Sequence, residues 1–352
     1  YIRKVARSVF SMSSKKSNIT EKNVESSALF SVAPMMDWTD RHCRYFHRQF
    51  TNKSLLYTEM IAAAALVKGK AYHLLDYSDE EHPLALQLGG SDPIQLAEAA
   101  SIGDAHGYDE INLNVGCPSD RVQSGSFGAV LMKDPKLVSA CCEAMKKSTS
   151  IDLTVKCRIG VDDQDPEQIL PEFLNHIYNS GVNRVIIHAR KAILKGLSPK
   201  ENRDIPPLDY GIVFKMKEKF PGLHISLNGG VTSLSLANDL LAKGIDGVMI
   251  GRSAYQQPMQ ILSEVDKNIF DEKVIRSPFD IADAMRPYLK EHFEKGGKPH
   301  QVTRHMIGLF HGSPGAKVWR QYLSNTLLHN NIDFYYQASL LWLSYLKSHQ
   351  HQ

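Results

Sequence analysis

A thiol stands where an alternating apolar run ends. In residues 110–130, EINLNVGCPSDRVQSGSFGAV, Cys117 follows Gly116 and precedes Pro118, and the loop beyond carries Arg121, Gln123, Ser124, Gly125 and Ser126. A cysteine in mid-strand needs only burial, whereas one at a strand's exit invites a chemical role. The first role to weigh is nucleophile, which requires a depressed pKa and a neighbouring base. Lys156 in DLTVKCRIG and His188 in RVIIHAR stand at comparable places. Two glycine-bearing exits follow, Asn228-Gly229-Gly230 and Gly251-Arg252. Main-chain amides in such turns approach a phosphate closely, and an arginine adds fixed positive charge, so these two exits suit an anion.

Gathering these residues requires a frame that brings strand ends together. Short apolar, β-branched runs recur: ALFSVAPM (28–35), LLYTEM (55–60), LALQLGG (84–90), EINLNVGC (110–117), DLTVKCRIG (152–160), RVIIHAR (184–190), HISLNGG (224–230) and GVMIGR (247–252). Helical segments lie between them. One opens on Ser91 or Asp92 with Pro93 and closes on Gly107; another opens on Asp134 with Pro135; a third runs from Thr232 to Gly244. Alternation at this spacing predicts parallel strands with right-handed crossovers, and eight units fit a (β/α)8 TIM barrel better than an open doubly wound sheet. No G-x-G-x-x-G follows the first strand, which lowers the dinucleotide-fold alternative. After Pro258 the pattern is helical only. The expected organisation is a tail over 1–27, a catalytic barrel over 28–262 and a C-terminal all-helical domain over 263–345.

Composition narrows the class. Of 352 residues, 43% are hydrophobic and 22% charged, as in ordinary globular proteins. No apolar run reaches the ~18 residues of a membrane-spanning helix. The five cysteines show no C-x-x-C pair and no zinc-like spacing, so a reducing compartment and no structural metal are expected. The net charge of +3 decides nothing, but from Lys298 to Arg320 there are four Lys/Arg, three His and no acid. Such a run can hold phosphates, or it can be a solvated helix face. The first 20 residues carry five Lys/Arg and no acid, with Ile2, Val5 and Val9 at helical spacing. They read as an organellar presequence or as a disordered basic tail.

In a barrel, chemistry gathers at the C-terminal strand ends. Six of the eight ends here carry polar or charged residues: Gln87, Asn112 and Asn114, Lys156 and Arg158, His188 and Arg190, Asn228, and Arg252. The last two lie after strands seven and eight, the usual phosphate position in barrels. An inward lysine needs a negative partner to offset its desolvation. The N1–C2 edge of a reduced flavin would supply one for Lys156, and Gln87 could bond the ring's amide edge. His188 alone would read as a core histidine; beside Lys156 and the phosphate loops it does not stand alone.

These motifs carry a resemblance. VAPMMDWTDRHCR, LQLGG, NLNVGCPSDRVQSGSFGAVLM, VKCRIG, HARKAILKGLSPKENRDIPPLDY, NGG and GR occur in the order found in tRNA-dihydrouridine synthases. The HARKA block and the later TRHM, GLFHG and WR resemble the A-type subfamily, which modifies positions 20 and 20a of the tRNA D-loop. The likeness runs from about residue 28 to about 325, with no catalytic position lost; the tail and the last ~25 residues fall outside it. It implies an FMN barrel with a helical appendage, NADPH as reductant, and reduction of a uracil C5–C6 double bond by hydride to C6 and a cysteine proton to C5. Carried over residue by residue, Cys117 is the proton donor, Pro34, Met35 and Met36 lie against the flavin, and Gln87, Lys156 and His188 contact it. Asn228, Gly229, Gly230, Gly251 and Arg252 hold its phosphate. Asn114 sits near the target uridine, and Lys200 and Arg203 meet tRNA.

The chemistry agrees. A cysteine thiol ordinarily titrates near about 8.5, so it is mostly protonated at neutral pH and can act as a general acid. No Cys-His-Asp set surrounds Cys117, and Cys43, Cys141, Cys142 and Cys157 read as core. The uracil must leave its stack, and a folded RNA is gripped through shape and phosphates. If 298–320 is helical, Arg304, Gly308 and His311 share a face while Met306, Leu309 and Phe310 point to the core; Arg304, Lys317 and Arg320 are the expected phosphate contacts. Partners are then tRNA alone, with no membrane and no metal, for a monomer in the cytoplasm, or in a mitochondrion or plastid if residues 1–27 are a presequence. Two rivals are a flavin barrel acting on a free pyrimidine and a tRNA-binding protein that has lost its chemistry. The basic helical appendage and Lys200/Arg203 argue against the first, and intact Cys117, Lys156 and His188 against the second.

Overall fold

The computed structural model describes Val24, residues 26–119, Gly125, and residues 127–273, 275–313 and 316–324. Strands β1 (Phe30–Val32), β2 (Leu56–Tyr57), β3 (Ile61–Ala62), β4 (Leu84–Gly89), β5 (Glu110–Val115), β6 (Asp152–Arg158), β7 (Arg184–His188), β8 (His224–Asn228) and β9 (Gly247–Ile250) pair in parallel. The order is β1-β9-β8-β7-β6-β5-β4-β2, with β3 a short extension on β4. Two backbone bonds complete the ring, Val32 N–H to the Leu55 carbonyl at 3.0 Å and Leu55 N–H to the Phe30 carbonyl at 3.1 Å. The expected TIM barrel is therefore present. β1 is shorter than its apolar run because Pro34 has no N–H to continue the ladder.

Alternation along the strands sorts two cores. Ile111, Leu113 and Val115 face outward, into one large cluster with the helices, while Glu110, Asn112 and Asn114 are buried on the inner face. The inner apolar cluster is small: Val24, Ala28, Ala33, Leu55, Tyr57, Ala85, Ile186 and Met249. Parallel barrel strands are commonly apolar on both faces, so a polar upper interior marks a ligand site. Val24 and Ser27, assigned by sequence to the tail, are buried and belong with the barrel. The first 20 residues, which carry the presequence reading, lie outside the described residues.

The helices begin largely where local chemistry predicts. α1 (Arg41–Arg48) is capped by Asp40, and α2 (Ala63–Val67) is a single short turn. α3 (Pro93–His106) opens on Asp92, which accepts the Ile94 N–H at 2.9 Å, and closes on left-handed Gly107. α4 (Pro135–Ser148) is capped by Asp134 and buries Val138, Cys141, Cys142 and Met145. α5 (Pro166–Asn179) and α6 (Tyr210–Lys219) follow. α7 (Leu234–Ala242) is capped by Ser233 through the Leu236 N–H at 3.2 Å, one residue later than Thr232 suggests. α8 (Arg252–Gln256) and α9 (Pro258–Asn268) complete the barrel's surround, and α9 runs without a break through the expected boundary at 262/263.

Three described helices form the C-terminal region: α10 (Pro278–Glu294), α11 (Pro299–Met306) and α12 (Ala316–Leu323). Met306, Leu309 and Phe310 are buried, as their spacing implies. The helix itself stops at Met306, however, and residues 307–312 form turns. Gly308 therefore leaves the face shared by Arg304 and His311: a Cβ there would lie 2.7 Å from the Gln256 carbonyl oxygen. Trp319 anchors α12, donating from Nε1 to the Met306 carbonyl at 2.8 Å with its ring edge-on to Phe310. The final helical run, from residue 333, lies outside the described residues.

A cation-lined barrel mouth as candidate active site

Cys117 stands two residues past the end of β5 and is half-buried, whereas Cys43, Cys141, Cys142 and Cys157 are buried in the core. Its turn is built by Asn114, whose Oδ1 accepts the N–H groups of Gly116 at 3.1 Å and Cys117 at 3.0 Å. Arg158 braces the same turn. It donates from Nε to the Gly116 carbonyl at 2.9 Å and from Nη1 to the carbonyls of Lys191 and Asn202, both at 3.0 Å. The Cys117 thiol donates to the Ser119 hydroxyl at 3.6 Å. No imidazole or carboxylate partners it among the described residues, so the nucleophile arrangement is absent there. Of the polar loop beyond Cys117, residues 120–124 and 126 lie outside the described residues, and Gly125 is exposed.

Lys156 and Asn228 meet across the mouth, Nζ donating to Oδ1 at 3.1 Å, while Asn228 Nδ2 donates to the Met249 carbonyl at 2.8 Å. Among the described residues the lysine thus has a neutral amide oxygen for a partner and no carboxylate. Burial, reinforced by Arg158, pushes it down to about 8. His188 is buried, and burial together with Arg158, Lys156, Arg190 and Arg203 holds it well below the usual histidine range, so it is neutral. The Nε atoms of Arg190 and Arg203 are buried without a hydrogen-bond partner among the described residues. Around this mouth stand Lys156, Arg158, Arg190, Arg203 and Arg252. Among the described residues, Asp204 is the carboxylate in ion-pair contact with any of them, at 2.8 Å from Arg252. A cluster so uncompensated suits an anion.

The glycines shape the cradle. Gly229 has φ +106° and Gly230 φ +69°, conformations that favour glycine. A Cβ on Gly229 would fall 2.4 Å from His188 Cδ2, and one on Gly230 2.3 Å from Leu208 Cδ1. Gly251 is less crowded, its Cβ position 3.4 Å from Met35 Sδ, which brings the β9 exit against the β1 exit. Met35 is held by Thr39, whose hydroxyl accepts its N–H at 2.9 Å; Pro34 is half-buried and Met36 exposed beside them. Gln87 lies inside the barrel, bonded to Asn112 and Asn114.

The expected RNA-facing residues separate into groups. Lys200 is exposed and Arg203 half-buried, on the short 3-10 turn after β7. That loop is pinned by Asn202, missed by the sequence reading, whose side chain bonds the backbone of Ile193, Leu197 and Ser198. Lys317 and Arg320 are exposed on α12. Arg304 differs: its guanidinium is ion-paired with Asp40, which also accepts from buried His305 at 3.0 Å. Arg304 therefore joins α11 to the loop after β1. A separate cavity of about 690 Å³ lies away from the mouth, among Arg41, His42, His73, His292 and Lys298. Among the described residues no three His, Cys, Asp or Glu are placed to hold a metal, and no helix is long and apolar enough to cross a membrane.

Comparison with known proteins bears on this geometry. Residues 31–337 match the family model for dihydrouridine synthase. The chain is 52% identical over 311 residues to the tRNA-dihydrouridine(20/20a) synthase of Shewanella oneidensis, covering 88% of this chain and 91% of that protein. It is 54% identical over 310 residues to the same enzyme of Salmonella typhi, covering 86% and 92%. Against that of Escherichia coli the identity is 54% over 304 residues, covering 86% and 87%.

Proposed function

The chain belongs to the dihydrouridine synthase family, and we propose that it is an FMN-dependent tRNA-dihydrouridine synthase that uses NADPH to reduce D-loop uridines at positions 20 and 20a. The observation that carries this reading is the position of Cys117, on a braced turn at a barrel mouth rich in unmatched positive charge. The relatives' names point to the same substrate and positions.

The donor set fits a flavin mononucleotide. Lys156, bonded to an amide oxygen, suits an electron-rich ring edge, and the side-chain-free turn at Gly229 and Gly230 suits a phosphate. In this reading Pro34, Met35, Met36, Gln87, Lys156 and His188 hold the ring, while Asn228, Gly229, Gly230, Gly251 and Arg252 hold the phosphate. Arg252 shares its charge with Asp204, so the phosphate competes with a carboxylate for it. When bound, the reduced flavin supplies the hydride that adds to C6 of the uracil.

The chain's residues supply the rest. Hydride at C6 leaves negative charge on C5 and the C4 oxygen, and Cys117 gives its proton to C5. The thiolate left behind sits on the turn that the Arg158 guanidinium braces, so a fixed cation stands beside its charge. Asn114 keeps the thiol's turn in place and lies beside the base. Lys200, Arg203, Lys317 and Arg320 meet the tRNA, the last two from the helical region.

Purified full-length chain incubated with NADPH and unmodified tRNA tests the reading by mass spectrometry of the D-loop. Dihydrouridine at positions 20 and 20a is expected. Turnover of free uracil with none of tRNA would overturn it in favour of a small-molecule reductase.

A further inference from the structure

Inside the barrel a chain of hydrogen bonds runs from floor to rim. At the floor the Glu110 carboxylate accepts from Arg184 Nη2 at 2.6 Å, from the Tyr57 hydroxyl at 2.8 Å and from the Thr154 hydroxyl. The Thr154 oxygen accepts from Asn112 Nδ2 at 2.8 Å, and Asn112 Oδ1 accepts from Gln87 Nε2 at 2.7 Å. Gln87 Oε1 accepts from Asn114 Nδ2 at 2.8 Å. At the rim Asn114 Oδ1 accepts the N–H groups of Gly116 at 3.1 Å and Cys117 at 3.0 Å. Every side chain along the path from Glu110 to Asn114 is buried.

Both ends dictate the same direction. Burial pushes the Glu110 carboxyl up, but Arg184, Thr154 and Tyr57 all donate to it, and an arginine can do nothing else. A carboxylate only accepts and a peptide N–H only donates, so each of the three carboxamides between them has one consistent orientation. Flipping any one would set donor against donor, or acceptor against acceptor, away from water. Gln87 keeps one N–H and one lone pair. Asn114 has spent its oxygen on two peptide N–H groups and one Nδ2 proton on Gln87, so it keeps a single donor.

We propose that Glu110, Thr154 and Asn112 are positioning residues that lock the carboxamides of Gln87 and Asn114, so that Gln87 offers a paired donor and acceptor to the flavin ring and Asn114 offers only a donor to the target base. A donor-only Asn114 meets the C4 carbonyl of uracil and has nothing to accept the C4 amino group of cytosine. Base choice is thus set partly by a carboxylate on the barrel floor. This inference deepens the function proposed above and rests on it.

Thr154 and Tyr57 allow a controlled test, because each donates a hydroxyl to the same Glu110 oxygen and only Thr154 lies on the path to Gln87. Full-length chain is stripped of flavin and titrated with FMN, following flavin fluorescence, alongside a thermal melt. Thr154→Val should weaken FMN binding by about three- to ten-fold, the size of one lost hydrogen bond. Thr154→Ser should restore wild-type affinity, and Tyr57→Phe should lower Tm while leaving affinity unchanged. Wild-type affinity in Thr154→Val would overturn the proposal, as would equal weakening in Tyr57→Phe. Should Thr154→Val not fold, Asn112→Leu cuts the chain at the next link and is read the same way. A wild-type chain that takes up no FMN is a distinct result: it removes the proposed function, and the inference with it.

Discussion

Lys156 Nζ lies 3.1 Å from Asn228 Oδ1, joining the strand that would hold the flavin ring to the turn that would hold its phosphate. Burial has lowered this lysine to about 8, so in the free chain it loses its proton as pH rises through that value. An anionic ligand prefers the protonated form. FMN affinity should therefore be full below about pH 8 and fall above it by up to ~10-fold per unit, one proton being linked. Lys156→Met should bind weakly at every pH and show no break. Titrations from pH 6.5 to 9.5 check both; a pH-independent wild-type affinity would contradict the assignment.

Arg304 and Lys317 are both cationic residues of the acid-free segment, yet they should behave differently. Arg304 is tied to Asp40, which also caps α1 and accepts from His305, so Arg304→Ala should lower Tm, and Asp40→Ala more so. Lys317 and Arg320 project from α12, and each alanine variant should weaken tRNA binding and reduce the salt slope by about one unit. Binding measured across a salt series separates them. A slope change for Arg304→Ala equal to that of Lys317→Ala would show that tRNA displaces Asp40.

Three histidines, His42 and His47 buried and His224 half-buried, predict acid sensitivity. Burial pushes His47 down to about 3, and His42 and His224 to about 4. Their unfolded counterparts titrate near ~6.5, so between those values the unfolded chain binds more protons. Stability is thus complete above about pH 6.5 and is lost as pH falls toward 4. Urea midpoints at pH 7 and pH 5 test this; equal midpoints would contradict it.

The strand-helix alternation, the cap at Asp134 and the cap at Ser91 or Asp92 were readable because each depends on residues a few positions apart. Cys117, Lys156, His188 and the Gly229 turn were readable for a related reason, their types being unusual at strand exits. Ser233 and Thr232 are both competent caps, and composition does not separate neighbours. What stayed hidden depends on register or on distance. Thr154 reaches Glu110 only because β5 and β6 pair as they do, and Arg304 finds Asp40 across 264 positions. Arg158 was visible at the rim, but its part in bracing the Cys117 turn requires two loops, those after β5 and β7, to converge on one guanidinium.

The central claim is that Cys117 supplies a proton to the uracil carbon. The most direct measurement is single-turnover conversion of unmodified tRNA by NADPH-reduced protein, comparing wild type with Cys117→Ala while following flavin absorbance and dihydrouridine together. Wild type should form dihydrouridine at the D-loop. Cys117→Ala should keep its FMN and its tRNA affinity while losing roughly 10²–10⁴-fold in product formation, the usual worth of a positioned acid. A Cys117→Ala chain that turns over at close to the wild-type rate would contradict the account.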